Sequence, residues 1–213
     1  MIESVNIAAH DVATTRSPST PKDVVRYVPK ELVERFFQAI PPTNLRDRLL
    51  FDLVYRHGLR RREVVLIRVD DISLAERSIW ISRVKRGIPG RYRLHPRTLR
   101  LLKDYLPLRD LGASRFLFQS PRHHGASISP SLVYHLFRRY ATAAELPSDR
   151  RHVHVFRHSI AVHFMNEGVD SADVKDWLGH RNIASTMIYA QVTNRRRDAT
   201  FDRVRTSREI ART

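Results

Sequence analysis

The sequence predicts a mainly α-helical α+β fold with one small antiparallel sheet. Three observations lead there. Apolar residues recur at helical spacing in segment after segment, and caps, prolines or glycines close these segments. Only one stretch alternates as a strand should, SIWISRV at 78–84, and its partner GRYRLHP at 90–96 follows the turn KRGIPG. No internal repeat or second composition regime appears, so one folded domain, 28–193, is expected between a flexible arm at 1–27 and a basic tail at 194–213.

The elements follow in order. Residues 1–27 mix Ala, Thr, Ser and Pro with few large apolar groups and read as a leader or linker. Order begins near Val28. Pro29 suits a first helical position, and Leu32, Val33, Phe36, Phe37 and Ile40 share one face before Pro41 and Pro42 break the helix. A second helix runs from Leu45 to His57, with Gly58 as its stop. RREVVLIRVDDIS then reads as a short helix carrying Val64, Val65 and Ile67 before the hairpin. A helix from Pro96 to Tyr105 follows, and FLFQSP at 116–121 is an apolar run entering a loop. Ser129 caps the next helix, with Pro130 at its first position. Helices are expected at about 155–167, after Asp170 or Ser171 as far as Gly179, and at 183–190. Phe201, Val204 and Ile210 recur in the tail, which is expected to form a mobile helix.

Charge narrows the function. The 213 residues include 38 Lys and Arg against 22 Asp and Glu, a formal net charge of +16. Such an excess favours a polyanion, with nucleic acid the default partner. An anionic membrane is the competitor, but no stretch approaches the roughly 18 apolar residues of a membrane-spanning helix. The N-terminus lacks the apolar core of a signal peptide. There is no cysteine, which excludes disulfides and thiolate metal sites. The cytoplasm is the simplest compartment.

Six residues carry the chemical argument: Arg60, Lys85, His154, Arg157, His180 and Tyr189. His154 and Arg157, three apart, share a helix face. Arg60 follows a glycine turn, and His180 lies between a helix stop and the next helix. A guanidinium offers five N–H groups in a planar fork that fits phosphate, and two forks can neutralise charge building on phosphorus. Each arginine can equally be a salt-bridged structural residue. Lys85 can be an exposed turn lysine or a general acid at a mobile hairpin. Tyr189 can be a packing residue with its hydroxyl at the surface, or a nucleophile. A phenol with a pKa near 10 needs help to attack, and clustered arginines with a nearby histidine would favour the phenolate. His154 and His158, four apart, suggest zinc, but the glutamate of HExxH is missing.

At these residues the chain resembles the tyrosine recombinases, the phage-integrase family. The matching pieces are GLRRRE with Arg60 and Glu63, the hairpin Lys85, H-x-x-R as His154 and Arg157, LGH as His180, and IYA as Tyr189. Their order agrees with that family, as do the intervals of 23 residues from Arg157 to His180 and 9 from His180 to Tyr189. The resemblance covers about residues 28 to 205 and implies a catalytic domain that is mainly helical with a small antiparallel sheet. It implies that Tyr189 attacks a scissile phosphate, forming a 3′-phosphotyrosyl bond and releasing a 5′ hydroxyl. Arg60 and Arg157, assisted by His180, would hold the nonbridging oxygens. Lys85 would protonate the leaving oxygen, and His154 would assist proton transfer. Neither cofactor nor metal is implied. The implied partner is double-stranded DNA, with a monomer when free and a homotetramer on two synapsed sites, joined in some systems by accessory DNA-bending proteins.

Most members of that family carry an N-terminal helical domain that completes a clamp on DNA, whereas fewer than 30 residues precede the expected domain here. Truncation and a stand-alone type similar to the fimbrial phase-variation enzymes are both open. Two other functions remain beside site-specific recombination: nicking and resealing of one duplex in the manner of a type IB topoisomerase, and DNA binding without catalysis.

Overall fold

The computed structural model describes residues 25–85, 87–109 and 114–190. Helix α1 spans Lys30–Gln38, with Pro29 just before it as the N-cap. Helix α2, Leu45–Arg56, is capped by the Asn44 side chain, which accepts from the Asp47 amide. It ends in a left-handed turn at Gly58, φ 56°. Helix α4 spans Pro96–Tyr105 and α5 spans Pro130–Ala143, each with proline in its first turn. The Ser129 hydroxyl accepts from the Leu132 amide at 3.1 Å, the cap its position predicts. Helix α6 is His154–Asn166, α7 is Ser171–Leu178 with Asp170 as its cap, and α8 is Ala184–Ala190.

Two expectations change between residues 61 and 96. The helix expected over RREVVLIRVDDIS is a single turn, α3, at Arg61–Val64. The chain then straightens because the 115–117 segment takes its backbone groups: Leu117 N–H donates to Ile67 O at 2.8 Å and Val69 N–H to Arg115 O at 3.0 Å. A 3₁₀ turn at Val69–Asp71 leads into β1, Ile72–Ser73. The sheet therefore has three antiparallel strands, with β2 (Ser78–Ile81) between β1 and β3 (Gly90–Arg93). Ile72 lies opposite Ile79, which lies opposite Tyr92. Strands β2 and β3 are shorter than expected: past β2, Arg83 and the Val84 amide turn to Glu63, and past β3, His95 caps α4. Ile88 N–H donates to Gly179 O at 3.1 Å.

The core is aromatic at its centre. The Phe36 ring of α1 lies 5.3 Å from Phe51, 4.9 Å from Phe137 and 4.8 Å from Phe156, between centroids. A second cluster joins Ile160, Met165, Val174, Leu178 and Tyr189 across α6, α7 and α8, and Val25 and Tyr27 already pack against it. Helix α6 belongs to both clusters and is buried on nearly every side, as a helix at the centre of a bundle must be. Among the described residues no helix is long and apolar enough to cross a membrane. The tail beyond residue 190 and the arm before 25 lie outside the described residues.

Candidate active site

The first half of the site is built around a buried carboxylate. Arg60 is the N-cap of α3, and three residues on Glu63 turns back toward it. Glu63 Oε2 accepts from the Arg60 amide at 3.0 Å and Oε1 from the Arg60 guanidinium at 2.7 Å. Arg83, just past β2, reaches the same carboxylate at 3.1 Å, and both of these side chains are fully buried. The Val84 amide adds a fourth bond at 3.2 Å. Burial would raise the Glu63 carboxyl, but these bonds and the two cations outweigh it and hold the group below the usual carboxylate range. Arg83 also donates to His57 O and Trp177 O. One carboxylate thus ties Arg60 to the strand end that presents Lys85. Lys85 is exposed and left-handed, with φ 55°.

The second half hangs from α6. Arg157 is its fourth residue, and it is only 1% exposed. Its guanidinium donates to Gly58 O at 2.6 Å and Leu178 O at 2.7 Å. Among the described residues no carboxylate lies within ion-pair distance of it. Burial, then Arg60 and Arg83, push it down to about 9, with Glu63 and Tyr189 opposing. It stays protonated at neutral pH, a buried cation whose hydrogen-bond partners among the described residues are both carbonyl oxygens.

The histidines are neutral there. Burial, with Arg157, Arg60 and Arg83, pushes His180 down to about 4, and its Nδ1 meets the Thr186 hydroxyl at 2.9 Å. His154 is held below the usual imidazole range by loss of solvent and by His158, Arg157 and Arg60. The His154 and His158 rings meet edge to face at 4.6 Å. Among the described residues no group of three or more potential ligands converges to hold a metal ion.

Tyr189 departs from expectation in two ways. Its side chain is 2% exposed and packed in the second cluster rather than open at the surface. Its hydroxyl meets His158 Nδ1 at 3.1 Å. The arginines do not tip it toward phenolate in the free protein. Burial raises the phenol above its ordinary value, and Arg157 and Arg60 offset only part of that.

All six predicted residues line one cavity of about 790 Å³, with Arg61, Arg62, Tyr134, His152 and His158 also on its wall. Among the described residues no carboxylate lines it. A basic bowl holding an unneutralised guanidinium, neutral imidazoles and a phenol suits an anionic ester. Sequence reasoning missed what Glu63 and Arg83 do, since a buried ion pair 20 residues apart has no local signature. It weighed His158 only as a metal ligand, although its spacing from His154 already placed both on one helix face.

The profile of the Phage integrase family matches residues 26–196. The chain is 35% identical over 179 residues to tyrosine recombinase XerA of Thermococcus onnurineus, covering 84% of this chain and 62% of that one. It is 31% identical over 193 residues to tyrosine recombinase XerC of Neisseria meningitidis serogroup B, covering 86% and 62%. The chain thus spans about three-fifths of the length of these relatives. The fold matches the crystal structure of XerA recombinase with a TM-score of 0.72 at 21% identity, covering 87% of this chain and 67% of that one. It also matches XerH site-specific recombinase bound to its difH substrate, in a pre-cleavage complex, with a TM-score of 0.67 at 23% identity, covering 80% and 52%.

Proposed function

The chain belongs to the phage integrase family, and from that membership and its cavity we propose that it is a site-specific tyrosine recombinase acting on double-stranded DNA. The observation that carries this reading is the meeting of Arg60, Lys85, His154, Arg157, His180 and Tyr189 on one cavity. The scissile phosphodiester sits in that bowl. Arg157 keeps three of its five N–H groups for the nonbridging oxygens, since two are spent on Gly58 O and Leu178 O. Arg60 supplies the second fork, held at its angle by Glu63. His180, oriented through Thr186, donates a further hydrogen bond.

The Tyr189 oxygen attacks phosphorus as the bond to the 5′ oxygen breaks, and Lys85 gives that oxygen a proton. The product is a 3′-phosphotyrosyl enzyme and a free 5′ hydroxyl. The linkage conserves the energy of the phosphodiester, so a 5′ hydroxyl from a second duplex reseals it. The reading extends to a homotetramer on two synapsed sites, a catalytic domain at 28–193 and a basic tail at 194–213. DNA as the substrate places the work in the cytoplasm.

The test uses nicked suicide duplexes tiled across the DNA flanking the gene, run on denaturing gels. Wild type is expected to leave a covalent protein–DNA band, and Tyr189→Phe is expected to leave none while binding the duplex as before. Binding without any adduct would overturn the reading in favour of a non-catalytic DNA-binding protein. An adduct with resealing but no exchange between two duplexes would favour topoisomerase-like chemistry.

A further inference from the structure

We propose that His158 takes the proton of Tyr189 as the tyrosine attacks, and that it is the group which orients the phenol until then. The inference rests on the recombinase reading and deepens it. The Tyr189 hydroxyl has one hydrogen-bond partner among the described residues, and it is His158 Nδ1 at 3.1 Å. His154, the residue to which the family resemblance assigns proton transfer, touches the His158 ring and makes no hydrogen bond to Tyr189 among the described residues. The two partners come from elements that are themselves fixed. His158 follows Arg157 on the buried central helix, and Tyr189 is packed into the cluster shared by α6, α7 and α8.

The protonation states fit acceptance. Burial, with His152 and Arg157 beside it, pushes the His158 imidazole down to about 4, so the ring is neutral at neutral pH. The phenol is raised by its own burial and keeps its proton. A neutral ring that accepts at Nδ1 carries its hydrogen on Nε2. The groups around it are His152, His154 and Arg157 on its own side, Tyr189 from α8, and Tyr134 and Arg60 across the cavity wall. Every charged group among these is cationic, which disfavours an imidazolium in the free protein. A phosphodiester bound in the bowl brings the missing negative charge and makes His158 a better base when substrate is present. The step balances. The Tyr189 O–H bond breaks toward His158 Nδ1, the new O–P bond forms, and the P–O5′ bond breaks. The 5′ oxygen leaves with the electron pair and is protonated from Lys85. On resealing, His158 returns the proton to the departing phenolate.

Two measurements test this. In the free full chain, ¹⁵N spectra of labelled histidines are expected to show His158 protonated on Nε2, with an Nδ1 resonance that moves in Tyr189→Phe. A His158 protonated on Nδ1 would overturn the inference. Cleavage of the nicked duplexes is then followed from pH 6.5 to 9 in His158→Asn and His158→Ala. Asparagine keeps an acceptor where Nδ1 stood but cannot carry the proton, and it serves if the alanine variant melts early. Both variants are expected to bind the duplex like wild type, and to cleave about 10²-fold more slowly at neutral pH. That deficit should shrink as pH rises and hydroxide takes over. A wild-type rate in His158→Asn, or a deficit constant with pH, would reduce His158 to a packing or orienting role. If wild type itself forms no adduct, the recombinase reading falls and this inference with it, whereas a wild-type adduct matched by His158→Asn sinks only the inference.

Discussion

Arg60 and Arg157 bring the same charge to the same cavity and are held there by opposite means. Arg60 is partly exposed and paired with Glu63, whose side chain is fully buried. Arg157 is itself buried and touches only carbonyl oxygens among its hydrogen-bond partners. The Arg60 side is balanced in its hydrogen bonds before substrate arrives: one carboxylate, two guanidiniums and a backbone amide fix one another, with one positive charge left over. The Arg157 side has no carboxylate beside it among the described residues, and burial first, then its positive charge, depresses His154, His158 and His180. The contrast teaches where binding energy is stored. The balanced half sets geometry, and the unbalanced half waits for an anion.

The largest expected effect breaks the unbalanced half. Arg157→Ala should slow formation of the covalent adduct about 10⁴-fold, the scale seen when a guanidinium is removed from a phosphoryl-transfer site. Arg157→Lys should recover little of it, because an ammonium cannot span Gly58 O, Leu178 O and a phosphate with one planar fork. A variant at either position with the wild-type cleavage rate would end the role given to this arginine.

On the balanced half the loss should appear in stability first. Glu63→Ala leaves Arg83 buried without its carboxylate and frees Arg60 and the Val84 amide. Urea unfolding should show a loss of about 3–5 kcal/mol, the usual result of removing one partner of a buried pair. Glu63→Gln, which keeps some of the hydrogen bonds, should lose less. If the two substitutions were equally mild, the carboxylate would not be the anchor of this half.

Gly179→Ala probes the seam between the halves. Gly179 has φ 65°, and an added Cβ would stand 2.7 Å from Ile88 O, on the segment that carries Lys85. The expected stability loss is about 1–3 kcal/mol from backbone strain. Cleavage should fall by more than that loss explains, because the Lys85 turn is pushed away from the His180 turn. Equal losses in both readouts would make the glycine a purely structural residue.

The smallest effect is pH-dependent. His158 and His180, both near 4, lie below the ordinary imidazole value. Each therefore contributes stability that is complete above about pH 6.5 and lost as pH falls toward about 4. Bound duplex should reverse the sign at His180: its phosphate raises that group, so binding takes up protons and affinity climbs as pH falls from about 6.5 toward 4, while His158 stays neutral to accept the Tyr189 proton. Calorimetry in two buffers of different ionisation enthalpy reads that uptake directly. Proton release on binding would contradict the surplus-charge account of the Arg157 half.

Much of this was legible in the chain itself. Capping fixed the helices at Ser129, Asp170 and Gly179, because each closes its helix through bonds to residues within a few positions. The spacing of His154 and Arg157 put both on α6, and the six candidate residues were all named from local motifs. The third strand was not legible, since Ile72–Ser73 is too short to show a period and exists by pairing with β2.

What the sequence determined alone is therefore the set of helices, the hairpin, the basic surplus and the identity of the candidate residues, all of which are local or additive properties. Only the tertiary structure decided how those residues are charged and held. Glu63 meets Arg83 across 20 positions, and His158 meets Tyr189 across 31. Burial then set the electrostatics: it lowered Arg157, kept His154, His158 and His180 neutral and raised Tyr189. Desolvation depends on everything packed around a group, and no motif carries that information.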